Sequence, residues 1–225
     1  MIPRGIIHIT GEPDTGKTLL ALTAYDPKKT AYFFDDVKAP AIEPKEFGLF
    51  VDLVNKHSDK KMLEFYTAIK AEIDAIPAGK FDAIIWDTWA RTGKSIRYYA
   101  KANPLEFREG KTFSAMGQIR GAEEWGETHR VESDIISALS QKCTTLFLIT
   151  HIKPQLKAGV QTGSYEPDCG KSFDRVCNLR LWLRHNPHGS VPIALVLKRI
   201  AKIEVTKGKV TPVNVLPRKL TPVKS

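Results

Sequence analysis

Apolar residues along this chain follow two alternating rhythms. Short continuous runs, Gly5-Ile6-Ile7-His8-Ile9-Thr10, Thr30-Ala31-Tyr32-Phe33-Phe34, Phe81 to Thr88 and Thr144 to Thr150, have the length and composition of strands buried on both faces. Between them the spacing becomes helical. Leu19-Leu20-Ala21-Leu22 opens a helix. Met62, Phe65, Tyr66, Ile69, Ile73 and Ile76 mark an amphipathic helix over 60–76 that Pro77-Ala78-Gly79 stops. Residues 89–102 form a third helix, and Gln118 to about Lys142 a long fourth one that buries Ile119, Ala122, Trp125, Ile135, Ile136 and Leu139. The second strand ends on Asp35-Asp36; the stretch after it to about residue 60, rich in proline and charge, reads as irregular, as do 103–117 and Pro154 to Lys171. Val176, Leu179, Leu181 and Leu183 begin further strands, Ile193 to Leu197 continues them, and Lys207-Gly208 turns a hairpin into residues 210–215. Beyond Leu216 a basic tail with prolines is expected to be extended or disordered. Strands alternating with helices predict an α/β fold: a mostly parallel central sheet, helices on both faces and a C-terminal antiparallel extension. Residues 1–203 make the core domain and 204–225 the hairpin strand and tail.

The first strand leads into Gly11-Glu12-Pro13-Asp14-Thr15-Gly16-Lys17-Thr18, which satisfies G-x-x-x-x-G-K-[ST] at each required position and stands between strand and helix as that motif demands. The glycines let the backbone wrap an anion, with N–H groups of the loop and of the Leu19 turn directed at phosphate. Lys17 reaches the β- and γ-phosphates, and the Thr18 hydroxyl ligates Mg²⁺. Two near-repeats, Thr92-Gly93-Lys94-Ser95 and Glu109-Gly110-Lys111-Thr112, carry Thr88 and Leu105 where the first glycine belongs, so neither is a phosphate loop. The strand from Phe81 ends in Asp87, an acid at the carboxyl end of a neighbouring parallel strand, where it can hold the metal. The competing role for Asp87 is to cap the helix that follows.

On helix 89–102, Arg91, Lys94, Arg97, Tyr98 and Lys101 share one third of the circumference, opposite Trp89, Ile96 and Ala100. A basic stripe with an aromatic suits single-stranded nucleic acid, and a plain solvated face is the alternative. The net charge of +9 points the same way, to a polyanionic partner. Three cysteines without metal-ligand spacing, Cys143, Cys169 and Cys177, suit packing in a reducing cytoplasm. No apolar leader and no run of membrane-spanning length is expected, hence no membrane partner.

The order of these parts resembles the RecA-type P-loop ATPase core. GEPDTGKT is similar to that family's phosphate loop, and IIWDT to its strand ending in Asp-Ser. Residues 146–183, LFLITHIKPQLKAGVQTGSYEPDCGKSFDRVCNLRLWL, resemble its sensor strand, its DNA-binding loop, the glycine opening the next helix and the strand after it. With LVLKRIA at 195–201 the likeness covers residues 5 to about 203, and small phage-encoded RecA-like proteins of single-strand annealing look most similar. The resemblance implies ATP and Mg²⁺ as cofactors. It implies single-stranded DNA, a single-strand DNA-binding protein and further copies of this chain as partners, with nucleotide held between subunits. It assigns Lys17, Thr18 and Asp87 to phosphate and metal, and His151 to the place of a glutamine that senses the γ-phosphate. A capped strand end is the other role open to His151. Lys153, Gln155, Lys157, Gln161, Tyr165 and Lys171 would contact DNA, and Lys198 or Arg199 would reach a neighbour's nucleotide.

Three positions depart from the family pattern. Val37 stands where the water-activating glutamate belongs, leaving Asp36 or Asp35, each one methylene shorter. The N-terminal segment by which the bacterial recombinase links its subunits is not expected before Gly5. Ile200 replaces a second basic residue. The implied activity is ATP hydrolysis coupled to DNA in recombination, annealing or replication. The rivals are a nucleotide-dependent assembly switch that does not hydrolyse, a hexameric helicase-type motor and, least suited to the 154–171 segment, a small P-loop kinase.

Overall fold

The computed structural model describes residues 5–36, 44–102, 122–157, 160–170, 172–185, 193–199, 202–206 and 209–213. The elements run β1 (Gly5–Gly11), α1 (Lys17–Leu22), β2 (Thr30–Phe34), β3 (Leu49–Asp52), α2 (Leu53–Lys56), α3 (Met62–Asp74), β4 (Phe81–Asp87), α4 (Ala90–Ala102), α5 (Ala122–Ser140) and β5 (Cys143–Thr150). They continue with β6 (Ile152–Lys157), β7 (Val160–Pro167), α6 (Ser172–Val176), β8 (Leu179–Arg184), β9 (Ile193–Arg199), β10 (Lys202–Thr206) and β11 (Lys209–Val213). Seven strands form one sheet in the order β3-β2-β4-β5-β1-β8-β9. The first six are parallel, and β9 closes the edge antiparallel to β8. This is the α/β class that the alternation of strands and helices predicts.

Successive residues of a strand point to opposite faces, and both faces are apolar because each is covered. One face packs Ile6, Ala31, Phe33, Ile84, Trp86, Leu146 and Leu148 beneath α3, α4 and α5, whose Phe65, Ile69, Ile96, Val131, Ile136 and Leu139 are buried there. Phe33 and Trp86 stack across β2 and β4 at 4.8 Å between ring centroids. Removing such a side chain from water contributes about 1.5–3 kcal/mol. The other face packs Ile7, Ile9, Tyr32, Phe34, Ile85, Phe147 and Ile149 beneath α1, with Phe47 and Phe50 against them. α3 stops where the sequence punctuates it: Lys142 Nζ takes the Ile76 carbonyl at 2.8 Å, and Gly79 turns with φ 70°.

The structure departs from the sequence expectations in several places. β5 lies between β1 and β4, so Asp87 sits two strands from the phosphate loop's own strand and not on an adjacent one. β3 and α2 occupy part of the stretch expected to be irregular, too short for periodicity to reveal; Asp52 caps α2 by accepting the Asn55 N–H at 2.9 Å. Much of 154–171 is a twisted hairpin, β6 with β7, with an irregularity between Pro154 and Leu156. Its β7 residues are mostly exposed, so no buried face imposes an apolar alternation that could be read as a strand. Val176 ends α6 instead of opening a strand. The expected C-terminal hairpin is present as β10 and β11. Gln118, Ile119 and the tail beyond Leu216 lie outside the described residues. No described helix is long and apolar enough to cross a membrane.

Candidate functional site

The site forms at the carboxyl ends of β1, β4 and β5. Gly11 leaves β1 with φ 153°, Asp14 has φ 58°, and Gly16 enters α1 with φ 76°, so the loop turns through conformations that extended or helical backbone does not supply. Thr15 Oγ1 donates to Glu12 O at 2.9 Å and fixes the turn from within. No side chain caps α1. Lys17 is 7% exposed, and its ammonium folds back onto the loop, donating to Gly11 O at 3.2 Å and Glu12 O at 2.6 Å.

Thr18 faces across to β4. Its Oγ1 donates to Asp87 Oδ2 at 2.6 Å, joining residues 69 apart in the sequence. The same oxygen accepts a second hydrogen bond, from Tyr32 Oη on β2 at 3.2 Å. Burial pushes the Asp87 carboxyl above its usual range, while the Thr18 and Tyr32 donors pull it back. Its side chain therefore turns to α1 and β2, not to the start of α4, which removes the capping alternative.

Asp36 and His151 complete this end of the sheet. His151 Nε2 stands 3.7 Å from Asp36 Oδ2, with 43% and 21% of the two side chains exposed. Asp35 points the other way. Its side chain is 1% exposed and 3.7 Å from Arg91 Nη1, with neither carboxylate oxygen hydrogen-bonded among the described residues. Desolvation pushes its pKa to about 7, against the pull of Arg91. Of the two acids considered near the second strand, Asp36 is thus the one that shares the site with Asp87 and His151. Val37 lies outside the described residues.

The residues that the sequence assigns to DNA divide. Arg91 is not on an open stripe: its guanidinium donates to His57 O at 2.8 Å and Leu53 O at 3.5 Å and lies 3.7 Å over the Phe65 ring. Lys94 and Tyr98 are exposed and Arg97 is half-buried, while Trp89, Ile96 and Ala100 are buried as the helical spacing predicts. Lys153 is drawn to two acids, Asp168 Oδ1 at 3.3 Å and Glu166 Oε1 at 3.8 Å. Gln161 and Tyr165 are exposed on β7, and Gln155 is half-buried. The side chains of Lys101, Lys157, Lys198 and Arg199 lie outside what is described, as does Lys171. Register nevertheless fixes the backbone of the last pair: Lys198 pairs with Arg180 and Arg199 with Leu179, which itself pairs with Ile7. That is the end of the sheet away from the phosphate loop, so within one chain the backbone of these two residues stands apart from the site.

Sequence reasoning missed a polar seam beneath the sheet. Arg180 Nε donates to His8 Nδ1 at 3.0 Å, and His8 Nε2 lies 2.8 Å from Thr150 Oγ1. An arginine only donates, so Nδ1 is the acceptor and Nε2 carries the hydrogen. Burial and Arg180 hold the His8 pKa well below its ordinary value. Arg180 also pairs with Asp174 and approaches Cys169 Sγ at 3.8 Å, at the edge of a cleft of about 870 Å³ between α4, α5 and the hairpin. On the cleft floor Glu132 is 3% exposed and accepts from Trp89 Nε1 at 2.8 Å and from Ser172 Oγ. The hairpin base is tied to β1 and β5 together, because His151 O accepts from Asp168 N at 2.8 Å and from Thr10 Oγ1 at 3.1 Å. A histidine inside the first apolar run and an arginine inside β8 were the available signals.

The residues present fit a nucleotide with its cation. A buried ammonium that satisfies itself on loop carbonyls, an uncapped helix start and a hydroxyl–carboxylate pair are what phosphate and Mg²⁺ require. Among the described residues no three of His, Cys, Asp or Glu gather into a group that could hold a metal ion.

No known family model matches the chain, and no curated protein matches it. Among solved structures it is similar to the RadB recombinase, with 14% sequence identity, a TM-score of 0.47, and 93% of this chain and 91% of that one covered.

Proposed function

We propose that this chain is a RecA-like ATPase that binds ATP with Mg²⁺ at the phosphate loop and couples the state of that site to its hold on single-stranded DNA, in recombination, annealing or replication. The observation that carries the proposal is the 2.6 Å bond between Thr18 Oγ1 and Asp87 Oδ2, which joins the phosphate loop to the acid of a separate strand. ATP and its cation would supply the phosphoryl group and neutralise the charge that builds on it. The chain's own residues do the rest. Lys17 exchanges loop carbonyls for phosphate oxygens, Thr18 and Asp87 hold the cation, and the loop from Gly11 to Leu19 wraps the phosphates. Asp36 orients water and takes its proton, and His151 beside it reports the site to the hairpin through its backbone. A neighbouring copy's Lys198 or Arg199 stabilises the transition state, which makes the active form an oligomer with nucleotide between subunits.

DNA lies along the hairpin and the exposed side of α4, with phosphate on Lys94 and a base against Tyr165 or Tyr98. Residues 1–203 form the catalytic domain; 204–225, with their basic tail, reach an acidic partner or DNA. The likeness of 146–183 to the family's sensor and DNA segments supports a hold on single-stranded DNA; a single-strand DNA-binding protein as co-partner and the cytoplasm as location belong to the same reading.

The test is steady-state ATP hydrolysis at low salt with and without single-stranded DNA, alongside Lys17→Ala. Turnover that DNA stimulates and that the variant loses is expected; turnover retained by the variant would overturn the site. A second reading has one observation behind it: Val37 leaves only the short Asp36 for water. It is an ATP-dependent assembly switch without hydrolysis, and it predicts that ATP changes oligomer size while no phosphate is released.

A further inference from the structure

Tyr32 is fully buried on β2, with Phe34, Phe47 and Phe50 around its ring at centroid distances of 6.0, 5.1 and 5.6 Å. It is followed in the strand by Phe33 and Phe34. A phenylalanine would make the same ring contacts, so packing asks for no hydroxyl here. Burying a hydroxyl costs free energy unless it is hydrogen-bonded. Among the described residues its partner is Asp87 Oδ2, at 3.2 Å.

That oxygen already accepts from Thr18. Two donors, one from α1 and one from β2, therefore converge on a single carboxylate oxygen and fix its rotation. They differ in what else they must do. Thr18 offers its oxygen to the cation under the function proposed above, whereas the Tyr32 hydroxyl has no second partner among the described residues and its ring is held in place by aromatic packing.

Resting on that function, we propose that Tyr32 is a positioning residue of the metal site: its hydroxyl holds the Asp87 carboxylate in the orientation that the cation needs. It touches neither cation nor nucleotide itself. Tyr32→Phe removes one oxygen atom and keeps the ring, so it separates this role from packing.

The experiment measures Mn²⁺ binding by electron paramagnetic resonance in the presence of a non-hydrolysable ATP analogue. Wild type, Tyr32→Phe, Asp87→Asn and the double variant are compared, with analogue binding in chelator and thermal melting measured beside them. Tyr32→Phe is expected to weaken Mn²⁺ about 3- to 10-fold, the net worth of one ordinary hydrogen bond, while analogue binding in chelator stays unchanged. In the Asp87→Asn background the second substitution is expected to add nothing, since Tyr32 acts through Asp87. Wild-type Mn²⁺ affinity in Tyr32→Phe, or an equal loss in both backgrounds, overturns the positioning role alone. Wild-type protein that binds neither analogue nor Mn²⁺ overturns the proposed function and this inference with it.

Discussion

Asp35→Asn should stabilise the protein, and more so in alkali than in acid. Asp35 is a carboxyl buried beside Arg91, with no hydrogen bond to either oxygen among the described residues, and desolvation lifts its pKa to about 7. In the unfolded chain it titrates near its ordinary value of about 3.9. Below that value both states hold the proton and ionisation costs nothing. As pH rises the unfolded chain ionises first, so stability falls steadily until the folded pKa is passed and is then level. Three pK units correspond to about 4 kcal/mol of lost stability at pH 8, against about 1.5 kcal/mol at pH 5. Asparagine has the shape of the protonated acid and cannot ionise. Its advantage over wild type should therefore grow by about 2–3 kcal/mol between pH 5 and pH 8. His8 works in the opposite direction: its depressed pKa removes stability as pH falls below the unfolded histidine value of about 6.5. Subtracting wild type from variant at each pH cancels that contribution. Urea titrations at the two pH values read the difference as a shift in midpoint at constant slope. An Asp35→Asn effect that is the same at pH 5 and pH 8 would refute the assignment of a buried, reluctantly ionised acid.

Other expectations follow from single contacts. Arg180→Met leaves His8 Nδ1 without its donor in the core and should cost about 1–3 kcal/mol in urea unfolding; a gain would mean that burying the guanidinium costs more than its bonds return. Lys94→Gln should reduce the slope of log affinity for single-stranded DNA against log salt by about 1, whereas Lys153→Gln should do less, since Lys153 already serves Glu166 and Asp168. Equal slopes for both variants would count against this division. Gly11→Ala should lower the melting temperature and abolish nucleotide binding together, because a Cβ there would overlap Leu183 O on β8 and hold a φ of 153° that side chains avoid. Normal binding with a lowered melting point would separate the loop's shape from its function.

The parts of this fold that sequence reveals are those whose pattern is enforced by burial. β1, β2, β4 and β5 are apolar on both faces because both faces are covered, and α3 shows its stripe because one side meets the sheet. The phosphate loop is legible for another reason: its glycines and its lysine meet constraints that depend little on the rest of the chain. What stays hidden is contact across sequence distance. Arg91 looks like part of a basic stripe by helical angle, yet α2 and β2 stand over that turn and claim its charge. Tyr32 reads as one more aromatic in TAYFF until β4 brings Asp87 beside it. The hairpin β6–β7 escapes detection because β7 is mostly exposed and carries no apolar alternation, and the order of strands is not encoded in any local period.

The glycine that opens the phosphate loop answers to two masters. Phosphate asks for a backbone that wraps closely, but β8 asks as well: Leu183 O lies where a side chain on Gly11 would go and accepts the Glu12 N–H at 3.3 Å. Two residues beyond Leu183, His185 N donates to the Glu12 carboxylate at 3.0 Å. The eight residues GEPDTGKT are therefore not a cassette that could be transplanted onto another strand and keep their shape. Half of the mould that forms them is the end of a strand more than 170 residues downstream, and engineering the loop means engineering Leu183 to His185 with it.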